Sequence, residues 1–485
     1  MKKRFLILCF VLLAGLVTAC SQKPKSQEVT NPNKEQGNNE ELNTSGNPSI
    51  TTEPSEIPNK NINIPTTTPY KEEHNKEDNH MDDKSDQESK MEDDKKENAS
   101  EDKNSVNSDQ DKENSRAEDI KKGTKGWVSE DKTKVCIDDE GTILTFMIKE
   151  GEVLITGLET PPKNELIIPE SIESYPVTAI EEYAFYNTSI TKLVLPEGLK
   201  VIKSRAFQKC YELKEISFPS SLEVIEQSAF GICPALETMT LPKENKHYTI
   251  TDGVLYTKDK NTLVKYPSGS EVKEYTILKS VNRIAEGAFS LAKNLTRVEL
   301  PDKLSVIENE AFSGCIQLSF ELTPNITKIG DYAFSDCYSI TELRLPDSLT
   351  YLGEGAFSSC EKLESVIIPK KLTRIPFAAF TSNTSLTEVV FLGSIATIED
   401  MSFSSCQSLT YIDIPIGTIH IGDMAFYACT NLEEITIPDT TVSFGNEIFG
   451  EISNLVIVTP KNSTAETYAK ENGFGYQEAV VDIIE

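Results

Sequence analysis

From Trp127 onward, apolar and polar positions recur with a long fixed period, marked by the aromatic of an Ala-Phe-like pair. That aromatic falls at Phe185, Phe207, Phe230, Phe289, Phe312, Phe334, Phe357, Phe380, Phe403, Phe426 and Phe449. Consecutive spacings are 22, 23, 59, 23 and 22, then 23 five times. One unit, Leu349 to Pro369, shows the local logic. Val366 and Ile368 alternate with period two, which points both side chains to one face of a short strand. Pro369 cannot donate to a ladder and ends that strand. Leu352 is the next inward residue and Gly353 makes a turn. Ala356, Phe357, Cys360 and Leu363 lie three or four apart, the spacing of a short helix or helical turn. Each unit therefore predicts strand, turn and helical turn with one apolar edge. A single unit cannot bury that edge, so stacked units must share a continuous core.

The period lies in the 20–29 residue range of leucine-rich repeats. The pattern I-x-x-x-A-F-x-x-C-x-x-L-x-x-I-x-[IL]-P resembles the bacterial surface repeats of the BspA-like family. It runs through Ile202, Ala206-Phe207, Cys210, Leu213, Ile216 and Phe218-Pro219. It recurs at Ile307, Ala311-Phe312, Cys315 and Leu318, and at Ile421, Ala425-Phe426, Cys429, Leu432, Ile435 and Ile437-Pro438. The resemblance covers about residues 145–475. It implies an α/β repeat solenoid of leucine-rich repeats about 23 residues long, with an N-terminal β cap, an inserted β-hairpin and a C-terminal capping helix. It also implies adhesion to host extracellular glycoproteins or to other microbes.

Solenoid ends must cover their terminal coils. Ile143–Ile148, Val153–Ile155 and Leu166–Ile168 read as cap strands, and Tyr175-Pro176-Val177 resembles the family's cap. At the other end, Ser463, Glu466 and Gly473 carry N-cap, third-position acid and C-terminal glycine signals of a short helix. The 59-residue spacing holds Asp252-Gly253-Val254-Leu255-Tyr256, a polar turn, and Thr262 to Pro267, which reads as a hairpin, with a further strand at Tyr275-x-Ile277. The expected organisation is a signal peptide over 1–20, an acidic disordered tether over 21–125, an N-terminal cap over 126–178, a solenoid over 179–460 with its hairpin at 246–270, and a C-terminal cap over 461–485.

The first residues change the setting. Lys2, Lys3 and Arg4 precede an apolar run from Phe5 to Val17, too short for a comfortable bilayer span and fitting a signal peptide. Val17-Thr18-Ala19-Cys20 resembles a lipobox, in which Cys20 becomes the diacylated N-terminus; an ordinary secretory signal is the alternative. Two acyl chains anchor stably where one does not. From Ser21 to Lys125 there is no apolar periodicity and a single aromatic, Tyr70. Such a composition cannot offset chain entropy by burial. As a flexible spacer it would span roughly 55–60 Å.

The net charge of −29 divides into about +3 over residues 1–20, about −9 over 21–125 and about −23 over 126–485. Acidity spread over the folded part repels phosphate backbones and argues against a nucleic-acid partner.

Candidate chemistry is sparse. The four histidines are His74, His80, His247 and His420, with no H-E-x-x-H, C-x-x-C, G-x-S-x-G or phosphate-loop motif. His420 reads as a surface residue beside the inward Ile421. Cys210, Cys233, Cys315, Cys337, Cys360, Cys406 and Cys429 share one slot, three after the phenylalanine. Ala292 and Asn383 fill it elsewhere. Interchange with Ala and Asn favours free buried thiols; disulfides between stacked coils or a metal site are the alternatives. Cys136 lies off this ladder and could be exposed. Acids recur before the Ala-Phe pair at Glu226, Glu286, Glu308, Asp331, Glu354, Glu399 and Asp423. An acid in every coil reads as turn or cap chemistry, not as a catalytic pair. No enzyme, cofactor or metal is expected.

Strands of a solenoid line one concave wall, with outward residues on either side of the inward one. One column is Lys192, Glu215, Thr238, Arg297, Ser319, Glu342, Ser365, Glu388, Tyr411 and Glu434. The other is Val194, Ser217, Thr240, Glu299, Glu321, Arg344, Ile367, Val390, Asp413 and Thr436. Ile367, Val390 and Tyr411 stand in three adjacent coils on an otherwise polar face, and such clusters mark interaction sites. The candidate ligand-binding residues are Arg344, Ile367, Val390, Tyr411 and Asp413. The function expected is a lipid-anchored cell-surface protein on the extracellular side of the membrane, binding protein or glycan ligands in adhesion. The alternative is an envelope scaffold without a host ligand.

Overall fold

Two ladders of parallel β-strands run along the chain, one built from longer strands and one from pairs of residues. The computed structural model describes residues 122–479. The signal peptide, Cys20, residues 21–121 and residues 480–485 lie outside the described residues. The result is a solenoid of about 14 turns with repeats of about 23 residues.

Glu165–Ile167, Lys192–Val194, Glu215–Ser217 and Thr238–Thr240 pair in sequence, each parallel to the next. The ladder resumes at Glu274–Thr276 with Arg297–Glu299. It continues at Glu342–Arg344, Ser365–Ile368 and Glu388–Phe391. Its last run is Tyr411–Asp413, Glu434–Thr436, Val456–Thr459 and Gly475–Glu478. The inward residue of most of these strands, such as Leu343, Val366, Ile412 or Ile435, is buried, while Tyr275, Val389 and Tyr476 are half-buried.

The second ladder was not foreseen. Val201–Ile202 pairs with Val224–Ile225. Arg283–Ile284, Val306–Ile307, Lys328–Ile329 and Tyr351–Leu352 form a further run. Arg374–Ile375, Thr397–Ile398, His420–Ile421 and Ser443–Phe444 form the last. One inward and one outward residue suffice for a strand here, because the neighbouring coils supply the hydrogen bonds.

The arm carrying Ala-Phe is a hydrogen-bonded turn and not the helical turn expected from the spacing. Two residues per arm adopt left-handed backbone conformations, as at Arg205 and Lys209 (φ 57° and 62°), Tyr332 and Asp336 (52° and 59°), and Met401 and Ser405 (57° and 62°). Their N–H groups donate to the next coil. Tyr332 N–H bonds Glu354 O at 2.8 Å, and Asp336 N–H bonds Ser358 O at 2.9 Å. Intercoil bonding holds conformations that non-glycine residues seldom adopt. Among the described residues the one α-helix is Thr464–Asn472.

The phenylalanines stack coil on coil. Phe312 and Phe334 lie 5.1 Å apart at 3°, Phe403 and Phe426 5.5 Å apart at 6°. The long spacing hides one more rung. Tyr266 stands 23 residues before Phe289 and stacks on it at 4.9 Å. Its N–H donates to Ala288 O at 2.9 Å, as Phe289 N–H does to Ala311 O. The insertion is a three-stranded antiparallel unit, Tyr248–Thr251, Val254–Thr257 and Thr262–Lys265. Its last strand runs parallel to Arg283–Ile284 and enters the short-strand ladder. Lys265 precedes Tyr266 as Ala288 precedes Phe289, so a lysine fills an alanine slot. The core divides at this insertion into two clusters, one reaching from Val135 to Leu255 and the other from Val254 to Ala469.

Both ends are covered. Ile143–Lys149 and Glu152–Thr160 pair antiparallel, and Glu152–Thr160 runs parallel to Tyr175–Ile180, which meets Val201–Ile202. The cap sheet is thus continuous with the short-strand ladder. The closing helix has Ser463 as N-cap, accepting from Glu466 N–H at 3.0 Å, and Gly473 at φ 76°. Ala465 and Ala469 are buried, and Tyr468 stacks on Phe444 at 4.6 Å. No helix among the described residues is long and apolar enough to cross a membrane.

Candidate ligand-binding face

The outward positions of the long-strand ladder form the candidate face. Register places Arg344, Ile367 and Val390 side by side in one column. Arg344 is exposed, and Ile367 and Val390 are half-buried. Asp413 continues that position one coil on, across an interruption, because Glu388–Phe391 and Tyr411–Asp413 belong to separate sheets. Tyr411 stands in the other column, in register with Glu434. Its side chain is 43% exposed, and its hydroxyl lies 3.5 Å from Thr436 Oγ1. Partial burial first, and then the Asp413 carboxylate, raise the phenol above its ordinary pKa. The candidate residues therefore comprise a contiguous trio, Arg344, Ile367 and Val390, and a second pair, Tyr411 and Asp413.

Two members of the expected columns lie off the ladder. Ser319 makes an isolated bridge to Arg297, and Glu321 lies outside any strand. The coil from Phe312 to Phe334 has 22 residues and no strand of this ladder, whereas the coil from Phe185 to Phe207, also 22 residues long, keeps Lys192–Val194. Phe320 turns instead toward Phe334, with ring centroids 4.5 Å apart.

The second ladder adds a row of outward side chains that the sequence reading overlooked. Tyr351 lies beneath two cations, Lys328 Nζ at 5.7 Å and the Arg374 guanidinium at 5.9 Å from the ring centre. Lys328 and Arg283 both pair with Glu308, the former at 2.9 Å. The residue preceding the inward Ile or Leu of each coil is the sequence signal for this row. His420 belongs to it. It sits on the strand His420–Ile421, with Nδ1 2.9 Å from Ser443 Oγ.

The cysteines form a thiol ladder suited to structure. All eight described cysteines are free and buried. Each thiol of the repeat slot approaches the phenylalanine carbonyl of the preceding coil: Cys315 Sγ lies 3.2 Å from Phe289 O, and Cys429 Sγ 3.1 Å from Phe403 O. Burial pushes Cys233 and Cys315 up to about 12, so neither supplies a thiolate near neutral pH. Cys136, expected as a candidate for exposure, is buried, with Sγ 3.4 Å from Asp138 O. The strand pair Lys134–Cys136 with Ile143–Thr145 covers it. Among the described residues no three His, Cys, Asp or Glu side chains converge as a metal-binding set.

Several recurring acids are engaged with backbone N–H groups of adjacent coils. Asp331 Oδ1 accepts from Glu354 N–H, Asp423 Oδ1 from Asn446 N–H and Glu399 Oε2 from Phe377 N–H. This is cap chemistry between coils.

A family profile described as the BspA type leucine rich repeat region (6 copies) matches residues 178–272, 266–387 and 375–476. Among solved structures, the chain is similar to a leucine rich cell surface protein from Faecalibacterium prausnitzii A2-165. Identity is 24%, with 67% of this chain and 95% of that one covered and a TM-score of 0.44. It is also similar to a leucine-rich repeat protein from Bacteroides ovatus, at 25% identity over 70% of this chain and 98% of that one, with a TM-score of 0.38. The pneumococcal vaccine antigen PcpA matches at 15% identity over 70% of this chain and 97% of that one, with a TM-score of 0.39. No curated protein matches.

Proposed function

The chain belongs to the BspA-type leucine-rich-repeat family, and on that premise we propose that it is a non-catalytic binding protein of the bacterial cell surface. It is held by a lipid on Cys20 at the extracellular side of the membrane. It takes protein or glycan ligands in adhesion to a host or to other microbes.

The observation that carries this reading is the register column Arg344, Ile367 and Val390. A guanidinium beside two aliphatic side chains offers an apolar contact with a directional donor at its edge, the composition of an interface centre. Tyr411 and Asp413 extend the surface with a phenol and a carboxylate. Backing by the core cluster that begins at Val254 means little ordering is needed on binding.

The test is retention of host extracellular-matrix proteins, and separately of cell-wall extract, on the immobilised chain. Saturable retention of a matrix protein, weakened about tenfold by Val390→Ser or Tyr411→Ala, supports adhesion through this face. Retention of wall components alone replaces it with an envelope scaffold.

A further inference from the structure

A second surface lies on the short-strand ladder, near its C-terminal end. The position just before each two-residue strand holds Lys200, Glu223, Asn282, Ser305, Thr327, Thr350 and Thr373 in successive coils. It then turns apolar in three consecutive coils, at Ala396, Ile419 and Val442. Backbone bonds join these three directly. Ile419 N–H donates to Ala396 O at 2.8 Å, and Val442 N–H to Ile419 O at 3.0 Å. Ile419 is 52% exposed and Val442 60%.

The turn between the two ladders behaves alike. After the proline or its equivalent it holds Glu197, Ser220, Asp302, Asp347, Lys370, Gly393 and Asp439, but Ile416 in the coil of Ile419. Ile416 is 77% exposed. The same backbone accepts lysine, glutamate, asparagine, serine and threonine at these places, so the fold does not require the three large aliphatic residues. Removing them from water needs a partner.

The surroundings say which kind. A recess of about 250 Å³ lies in the same coils, lined by Phe377, Thr397, Glu399, Asp400 and His420. Thr397 and His420 directly follow Ala396 and Ile419 in the chain. Glu399 is paired with Arg374 at 2.6 Å and accepts from Phe377 N–H at 3.0 Å. Asp400 is exposed and accepts from Asp423 N–H at 2.8 Å. Among the described residues it has no cationic partner in the ion pairs. The aliphatic ridge is thus followed by a recess with an unneutralised carboxylate, in a strongly acidic chain.

We propose that Ile416, Ile419 and Val442, with the Asp400 recess, form a docking surface for a polypeptide partner. That partner presents an apolar side chain next to a lysine or arginine. The apolar group would cover the aliphatic ridge, and the cation would enter the recess toward Asp400. Acidity disfavours an anionic lipid surface, and the like charge of a second copy disfavours self-pairing through the recess. This surface is separate from the long-strand face and does not rest on that reading.

The experiment pans a random linear peptide library displayed on phage against the full chain and measures a synthetic enriched peptide by fluorescence polarisation. The expected result is enrichment of an apolar residue adjoining Lys or Arg. Affinity should fall about tenfold or more in an Ile419→Ser/Val442→Ser double variant and in Ile416→Ser. Asp400→Asn should weaken binding about threefold and flatten its salt dependence. Far-UV circular dichroism of these variants should match the parent, because small polar residues occupy these places in other coils. No enrichment, or a peptide that binds all variants equally, overturns the proposal. So does sedimentation showing a parent dimer lost in the double variant, which assigns the ridge to a second copy. Flotation of the parent alone with phosphatidylcholine–phosphatidylglycerol vesicles overturns it in favour of lipid.

Discussion

Asp331 Oδ1 accepts a hydrogen bond from the backbone N–H of Glu354, one coil further on, at 3.0 Å, and a Cβ placed on Gly353 would stand 2.5 Å from that same oxygen. The side-chain oxygen in one coil thus demands glycine in the next. The pair recurs at Asn309 with Gly330, Asp400 with Gly422 and Asp423 with Gly445. In each, the side-chain oxygen takes the N–H following the glycine, at 2.9, 2.8 and 2.8 Å. Where the acid stands one residue earlier, the bond runs backward. Glu226 Oε2 accepts from Ser204 N–H at 2.9 Å, and Glu399 Oε2 from Phe377 N–H at 3.0 Å.

This pairing predicts an ordered series. Asp331→Ala should lose about 1 kcal/mol, the usual net value of one such bond. Asp331→Asn should lose less, since its carbonyl oxygen can still accept. Gly353→Ala should lose more, about 2–4 kcal/mol, because the new methyl group meets backbone atoms of Asp331 and separates two coils. Urea unfolding midpoints rank the three. Equal losses for Asp331→Asn and Asp331→Ala would show that the oxygen does not act as the cap.

Lys265 sets a different expectation. It is 3% exposed, fills an alanine slot, and donates to Gly287 O at 2.9 Å. No carboxylate pairs with it among the described residues. Burial pushes its pKa down to about 8, against an unfolded value near the ordinary 10.5. Between these values the unfolded chain binds more protons than the native one, so this group's contribution to stability rises with pH from about 8 to 10.5. Below pH 8 the cost of burying the charge is fully present. The difference in unfolding free energy between the parent and Lys265→Met should therefore shrink across that window, by about 3 kcal/mol at most. The methionine variant should be the more stable at pH 7. A pH-independent difference would place the ammonium in contact with water.

Much of this architecture is legible in the sequence, and the misses have physical reasons. Phe357, Cys360 and Leu363 fixed the period and the inward edge, and Ser463, Glu466 and Gly473 marked the closing helix. The arms were misread because spacings of three and four fit a helical turn and a tight turn equally. Turn formers such as Asp336 and Ser405 hold the second left-handed position of many arms, but nothing local announced the first, since Arg205, Tyr332, Ala378 and Met401 are not turn formers; bonds to the next coil hold them. The short-strand ladder was missed because a pair such as Tyr351–Leu352 carries no visible alternation. Tyr266 was hidden because its arm is two residues shorter between Leu263 and Tyr266 than between Ile284 and Phe289. The register of Arg344 with Ile367 and Val390 was readable, but the sheet break before Tyr411 was not.

The thiols predict opposite behaviour in alkali. Cys233 and Cys315 are pushed up to about 12 from an ordinary 9 by burial, and Cys337 and Cys406 also rise well above it. Above pH 9 the unfolded chain releases these protons while the native chain retains them. Native stability contributed by the ladder is therefore present below about pH 9 and is lost progressively as pH rises toward 12. In the native protein at pH 8, kept reduced, iodoacetamide should modify none of the eight described cysteines, whereas in urea it should modify all of them. Rapid native labelling of Cys136 would contradict its burial. Labelling within the repeat slot would mean that coils open locally on that timescale.

Tyr266 tests how the second cluster of the core is closed at the insertion. Its ring stacks on Phe289 at 4.9 Å and lies 5.3 Å from Tyr275, while its buried hydroxyl has Ser270 as its polar neighbour. Removing the hydroxyl costs at most that one polar contact, so Tyr266→Phe should change stability by no more than about 1 kcal/mol. Tyr266→Ala removes a buried aromatic rung and should lose about 3–5 kcal/mol. Tyr266, Tyr275 and Phe289 all belong to the cluster that begins at Val254, and each coil contacts only its neighbours, so that loss falls on the end of this cluster at the insertion. A solenoid weakened at one interface unfolds in parts. Hydrogen exchange should then show residues 144–240 and 280–460 losing protection at separate urea concentrations in Tyr266→Ala, but together in the parent. Concerted loss in the alanine variant would mean that the hairpin, through Tyr248 and Leu255, couples the halves without the aromatic rung.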